Sequence, residues 1–167
     1  MREATLKDVQ PLIDFLTPFH DEGAYQDIPI QRKLTASNLQ FMLSSPMHKI
    51  WVVERDGRIC SALGVVSQEL WFTKRHYATN LFLCANGEGR GTAGFLLRCF
   101  KKWIDSRPII KDVTFAVTSE IGDVERVEKL YQAVGFKKLG GLFLSLIHIS
   151  EPTRPERIGF CGVWVEK

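Results

Sequence analysis

Apolar positions along this chain recur at two spacings, every three to four residues or every second residue, and the switches between them mark out the elements. Val9, Leu12, Ile13 and Leu16 form one helical stripe, with Thr5 and Asp8 both suited to cap it. Pro11 falls in the first turn if Asp8 is the cap, where N–H groups have no partner, and Pro18 is expected to stop the helix. Residues 2–4 read as a short first strand. A polar, irregular stretch at 20–33, with Gly23 and Pro29, leads to a second short helix at 35–44 carrying Leu39, Phe41, Met42 and Leu43. Residues 50–55 and 58–67 are β-branched and apolar and flank Asp56-Gly57, whose tolerance of positive φ makes a tight hairpin turn. After a turn or bulge at 71–76, the third strand of this meander is expected at 77–84. Ala93, Leu96, Leu97, Phe100, Trp103 and Ile104 then make a helical face, broken at Ser106-Arg107-Pro108. Residues 113–118 alternate as a strand. Val124, Val127, Leu130, Tyr131 and Val134 form another helical stripe, closed by Gly135 as a left-handed C-cap. Residues 136–139 and 142–144 resume as strands. The order β-α-α-β-β-β-α-β-α-β(β) predicts an α/β layered sheet of mixed direction.

Composition narrows the class. The 167 residues suffice for one domain with a real core, and 45% hydrophobic and 25% charged content are ordinary for a globular protein. A net charge of +3, with no Lys/Arg block interleaved with aromatics, gives no support to nucleic-acid binding. Cys60, Cys84, Cys99 and Cys161 are widely spaced without a C-x-x-C pair, which suits small buried thiols rather than a metal or disulfide framework. Residues 1–21 show no signal-peptide pattern, and no apolar run approaches the ~20 residues a membrane span needs. The expectation is a reduced, cytoplasmic protein with no membrane partner, no nucleic-acid partner and no metal.

The stretch LFLCANGEGRGTAGFLLRCFKKW, residues 81–103, carries the candidate chemistry. It is a strand, a turn holding Gly87, Gly89, Gly91 and Gly94 around Arg90, and then the helix with its apolar face. A glycine turn feeding a helix N-terminus offers unpaired backbone N–H groups and the positive end of the helix dipole, a geometry suited to phosphate or pyrophosphate. The same stretch is equally readable as a turn before a core helix with no ligand.

Three pieces together resemble the GNAT superfamily of N-acetyltransferases, in particular its small phage and bacterial members. VVERDGRICSALG (residues 52–64) is similar to that family's central hairpin, LFLCANGEGRGTAGFLL to its strand–pyrophosphate loop–helix motif, and ERVEKLYQAVGFKKLG (125–140) to its fourth helix and following strand. His20, Glu22 and Tyr25 fit an H-x-E-x-x-Y-like first loop. The resemblance covers residues 1–143. It implies a mixed, mostly antiparallel central sheet with helices on both faces, and acetyl transfer from acetyl-CoA to a small-molecule or protein amine by a monomer or homodimer. By the same resemblance the pantetheine arm pairs with backbone near Leu83 and Ala85, and Gly89, Arg90, Gly91, Thr92, Ala93 and Gly94 hold the pyrophosphate. Against the family pattern R/Q-x-x-G-x-G/A, counting forward from the strand puts Arg90 at the family's Arg, while counting back from Leu96-Leu97 puts Glu88 there. Tyr131 falls at the general-acid position, and a core tyrosine is the alternative. At the matching place for an acidic base stands Asn80, which cannot take a proton; Glu22, Glu69, Glu120, His20 and His76 stay open as bases. A catalytically weak acyl-CoA-binding domain is the alternative to an enzyme.

Residues 144–154, LSLIHISEPTR, are identical to an in-frame translation of a transposon-derived sequencing adapter. The expectation is therefore a natural protein cut near Phe143, with 144–167 a non-native tail of a metagenomic assembly chimera. The alternative is a natural C-terminal strand pair closed by residues 158–165. His148, Cys161 and Trp164 are set aside as functional evidence on this ground.

Overall fold

The structure is a computed structural model that describes residues 1–23, 25–116 and 124–138. Residues 117–118 of the expected fifth strand, Leu139, the strand at 142–144, Glu120 and the tail from 144 onward lie outside the described residues, and residues 136–138, expected to begin a strand, are not in one.

Five strands line up in sequence order: β1 (Arg2–Glu3), β2 (Lys49–Arg55), β3 (Arg58–Glu69), β4 (His76–Ala85) and β5 (Ile110–Thr114). Neighbours from β1 to β4 run antiparallel, and β5 runs parallel to β4. A parallel neighbour needs a crossover, and α3 (Ala93–Asp105) supplies it. The Asp-Gly turn has φ of 48° at Asp56 and 76° at Gly57, with Arg55 opposite Arg58, as a hairpin of two left-handed central residues requires.

Strand alternation sorts the core into two layers. Ile50 and Val52 point to α1 (Val9–Asp21) and α2 (Arg32–Ser44), where they join Val9, Leu12, Ile13, Leu39, Met42 and Ala62. Trp51, with Leu63, Val65 and Ala78, packs on the other face against Leu96, Leu97, Phe100 and Trp103 of α3 and Tyr131 of α4 (Val124–Val134). The result is the mixed α/β sheet, covered on both faces, that the sequence predicts.

Two helices differ from expectation. Pro18 does not stop α1, which runs on to Asp21. The proline removes one donor to the Asp14 carbonyl, and both residues sit on the exposed side, where water serves that carbonyl. The last turn is held by the Phe15–Phe19 ring pair at 5.2 Å and by Glu22 N–H donating to the Pro18 carbonyl at 3.2 Å. Helix α2 begins three residues earlier than predicted, at Arg32, which pairs with Asp14 of α1. Of its predicted apolar face, Leu39 and Met42 are buried, while Phe41 is 67% exposed and leans on His48.

The N-terminus is pinned by a buried carboxylate. Asp8 ends a 3-10 turn (Leu6–Asp8) and accepts both arms of the Arg2 guanidinium at 2.7 Å, the Thr5 N–H at 2.6 Å and the Thr5 hydroxyl at 3.0 Å. The Arg2 hydrogen bonds hold its carboxyl well below the usual carboxylate range.

Candidate active site

Strand β4 is where the sheet opens. Its pairing with β5 runs from His76–Ile110 to Thr79–Thr114 and ends there, while its pairing with β3 continues to Ser61–Ala85. Among the described residues, the second half of β4 therefore has a strand partner on one side only. A register shift at the same point, with Asn80 opposite Val65 and Phe82 opposite Gly64, makes Leu81 the extra residue of a bulge, 59% exposed. Asn80 sits at the opening and its Oδ1 accepts the Ala116 N–H at 3.1 Å, so a side chain tethers the departing chain where the ladder has ended. Leu83 lies against the α3-side core and Ala85 is exposed at the strand end. Ser61, fully buried, donates its hydroxyl to the Cys84 carbonyl at 3.0 Å and fixes the orientation of that last peptide. Burial pushes the Cys84 thiol up to about 11.

The glycine turn leaves this strand at once. Asn86 N–H donates to the Cys60 carbonyl at 3.0 Å, and Asn86 accepts the Gly89 N–H on both its carbonyl and its Oδ1 at 3.0 Å. Arg90 N–H goes to the Gly87 carbonyl at 3.4 Å, and Thr92 returns both its N–H at 3.0 Å and its hydroxyl at 2.6 Å to the Gly89 carbonyl. Three of the predicted phosphate-binding residues, Gly89, Arg90 and Thr92, thus use their N–H groups to hold the turn. Gly91, Ala93 and Gly94 N–H have no acceptor among the described residues. Gly91 has φ of +86° and open space around it, while Gly94 faces Leu130 of α4. Gly89 is different: it is buried, and a Cβ there would lie 2.0 Å from the Cys60 carbonyl oxygen. Arg90 and Glu88, the two alternatives for one role, are both exposed. Sequence reasoning missed Asn86, Ser61 and the Thr92 hydroxyl as loop-shaping groups. The Asn-Gly step and a Thr at the helix N-cap were the available signals for two of them. Ser61 inside an apolar strand carried none.

Tyr131 is 7% exposed and sits on the same sheet face as Leu83. Its ring meets Phe115, just past β5, edge to face at 5.4 Å, and Phe136 at 5.8 Å. The end of α4 fixes it there: Gly135, at φ +100°, donates to the Gln132 carbonyl at 2.9 Å and Phe136 N–H to the Tyr131 carbonyl at 3.0 Å. This is the paired C-cap bonding in which a hydrophobic contact joins the residue after the glycine to the last turn. Burial pushes the Tyr131 phenol up to about 12, and its hydroxyl has no hydrogen-bond partner among the described residues.

The other acid–base candidates are scattered. His20 pairs with the adjacent Asp21 at 3.2 Å, and Glu22 is exposed. His76 lies at the opposite end of β4 from the glycine turn, with Ser67 Oγ at 3.2 Å and Glu69 at 3.9 Å. Tyr25 is half-exposed in the α1–α2 connection. Among the described residues no group of three or more His, Cys, Asp or Glu side chains could hold a metal ion.

No protein-family model matches the sequence, and no curated protein matches it significantly. Solved structures do match. A possible acetyltransferase from Clostridium difficile 630 superposes with a TM-score of 0.66 at 13% identity, over 87% of this chain and 94% of that one. An aminoglycoside acetyltransferase from an uncultured soil metagenomic sample gives 0.62 at 13% identity, over 86% and 93%. A ribosomal-protein-alanine N-acetyltransferase from Brucella melitensis biovar Abortus 2308 gives 0.61 at 12%, over 86% and 95%. With the sheet that opens beyond Thr79 and the helices on its two faces, these likenesses show that the chain has the GNAT-type acetyltransferase fold.

Proposed function

We propose that this chain transfers an acetyl group from acetyl-CoA to a primary amine. The observation that carries the reading is the juxtaposition on β4: the sheet opens at Asn80, and the same strand ends in a glycine turn and a helix N-terminus. An opened strand offers backbone to pair with an extended pantetheine arm near Leu83 and Ala85. The turn that follows presents the Gly91, Ala93 and Gly94 N–H groups to a pyrophosphate. Gly89 and Thr92 hold that turn in shape, and Arg90 can lie over the phosphates from the exposed side.

In this mechanism a neutral amine attacks the thioester carbonyl directly, a β4 backbone N–H stabilises the oxyanion, Tyr131 protonates the departing thiolate, and the proton lost by the amine nitrogen returns to the phenolate through solvent. With a phenol near 12 and an ordinary thiol near ~8.5, that transfer would be uphill by roughly 5 kcal/mol in water. Burial lifts both partners. A thiol desolvated beside Tyr131 would be raised in the same direction, which narrows that gap. The solved neighbours include an aminoglycoside acetyltransferase in complex with sisomicin, which favours a small polyamine-like acceptor. A second reading, a weakly active acyl-CoA-binding domain, is favoured by Asn80, whose carbonyl is engaged by Ala116 and cannot serve as a base.

Calorimetric titration with acetyl-CoA, followed by release of free thiol across a panel of amines and aminoglycosides, tests the reading. Binding with turnover that falls in Tyr131→Phe supports an enzyme. Binding without turnover leaves the second reading, and no binding sinks both.

A further inference from the structure

The tip of the β3–β4 hairpin carries apolar surface that acyl transfer does not use. Trp71 is 93% exposed and Phe72 65%, their rings meeting edge to face at 5.3 Å. The turn is tight, closed by Leu70 N–H to the Arg75 carbonyl at 2.8 Å and Thr73 N–H to the Leu70 carbonyl at 3.1 Å. Two neighbouring aromatics held in water at a turn tip mark an interaction surface, because exposed singly placed apolar residues are common but a large projecting pair is not.

What surrounds the pair identifies the occupant. Lys74 and Arg75 follow on the same turn and, with Thr73, Pro108 and the 41% exposed Ile109, line a shallow hollow of about 350 Å³. Lys111 and Arg107 stand on the adjoining segment, Arg107 lying over the Trp103 ring at 5.0 Å. The acids on these two segments, Glu69 beside His76 and Asp112 accepting the Val113 N–H at 2.9 Å, are outnumbered by Lys74, Arg75, Arg107 and Lys111, so the surface keeps a positive balance. We propose that this tip docks on an anionic phospholipid surface, with Trp71 and Phe72 at headgroup depth and Lys74 and Arg75 facing lipid phosphates. Aromatic side chains favour that depth, and cations add attraction to anionic lipid. A six-residue tip is far short of the roughly 20–30 residues per side of a stable protein interface, whereas a bilayer demands no shape complement. The edge-to-face pair also sets one ring edge on the other's face, where a stacked nucleobase would need to lie. Such peripheral contact departs from the expectation of no membrane partner, which rested on the lack of a run long enough to span. Consistently, no helix among the described residues is long and apolar enough to cross a membrane. The tip and the glycine turn are at opposite ends of the ten-residue β4, about 30 Å apart, so docking leaves the turn open.

Flotation of the full chain with vesicles of phosphatidylcholine, with or without phosphatidylserine, tests the inference, read together with tryptophan emission. The expected result is binding to the phosphatidylserine vesicles only, weakened by salt, with a blue shift that W71S abolishes. K74A/R75A should weaken binding about 25-fold, about fivefold per cation, and W71S/F72S at least tenfold. Acetyl-CoA titration of both variants should match the unaltered chain, which separates this inference from the proposed activity. The inference is overturned by absent binding to phosphatidylserine vesicles, by binding that W71S/F72S leaves unchanged, or by equal capture on single-stranded RNA. Sedimentation showing a dimer that W71S/F72S dissolves would also overturn it, by making a second copy the occupant.

Discussion

Replacing Gly89 by alanine tests what this buried glycine does. The added Cβ would lie 2.0 Å from the Cys60 carbonyl oxygen, 2.8 Å from its carbon and 3.1 Å from Ser61 Cβ. Ordinary contact begins near 3.4 Å, so the turn must retreat by about 1.4 Å from the β3 backbone, which cannot rotate away as a side chain would. The same carbonyl accepts the Asn86 N–H at 3.0 Å, and a retreat of that size breaks this bond. Overpacking costs about 1–3 kcal/mol, and the lost hydrogen bond adds about 0.5–1.5 kcal/mol. The sum, about 1.5–4.5 kcal/mol, is a large share of the 5–15 kcal/mol typical of a domain. For a chain of this size it should lower Tm by roughly 5–15 °C. Urea and thermal unfolding followed by far-UV circular dichroism give the number. Two glycines of the same turn serve as controls. At Gly87 an added Cβ would meet nothing within 4 Å and φ is not positive, so Gly87→Ala should stay within about 0.5 kcal/mol. Gly91 has the same open space but a φ of +86°, so Gly91→Ala should cost about 1–2 kcal/mol from backbone strain alone. If Gly89→Ala unfolds like Gly87→Ala, the close approach to β3 is not what the glycine is for, and the reasoning fails.

Substitutions at three further residues give outcomes that follow from the same structure. Asp8→Ala leaves the Arg2 fork and the Thr5 N–H without their acceptor and should cost about 2–3 kcal/mol in urea unfolding, less than a fully buried pair because Arg2 is part-exposed. Because the folded Asp8 carboxyl is depressed, its contribution is present above about pH 4 and fades as pH falls below that; Asp8→Asn should flatten the acid limb of the stability profile. Tyr131→Phe should keep the fold and reduce thiol release from acetyl-CoA by about 100-fold or more, measured at saturating amine. Since burial holds the Tyr131 phenol at about 12, the unfolded chain loses its proton first as pH rises past ~10. Stability should therefore drop between about pH 10 and 12, and Tyr131→Phe should remove that drop in alkaline unfolding curves. Trp51→Ala, which opens a cavity beside Phe100 and Trp103 at ring distances of 6.5 and 6.0 Å, should cost about 3–5 kcal/mol in the same assay.

The sequence by itself determined the elements and their order as far as α4, while the strand expected at 136–139 does not form over 136–138. The Asp-Gly turn, the helical stripe from Ala93 to Ile104 and the Gly135 cap are local features: φ preference and apolar period depend on neighbours within a few residues, and the chain folds as they predict. Even the two faces of the sheet are legible, since Trp51 must oppose Ile50 and Val52 once the strand is drawn. Tertiary structure decided what Pro18 and Phe41 do, because whether a lost helix bond or an exposed ring is tolerated depends on which side faces water. It also decided the glycine turn. In the sequence Gly89, Gly91 and Gly94 are equivalent; in the fold one abuts the Cys60 carbonyl, one turns through a left-handed φ, and one lets α4 approach. That division comes from a contact between residues nearly thirty positions apart, and no local pattern encodes it. The opening of the sheet at Asn80 is of the same kind. It exists because β5 stops pairing at Thr114 and a side-chain amide takes the next N–H, a choice made between strands rather than along one.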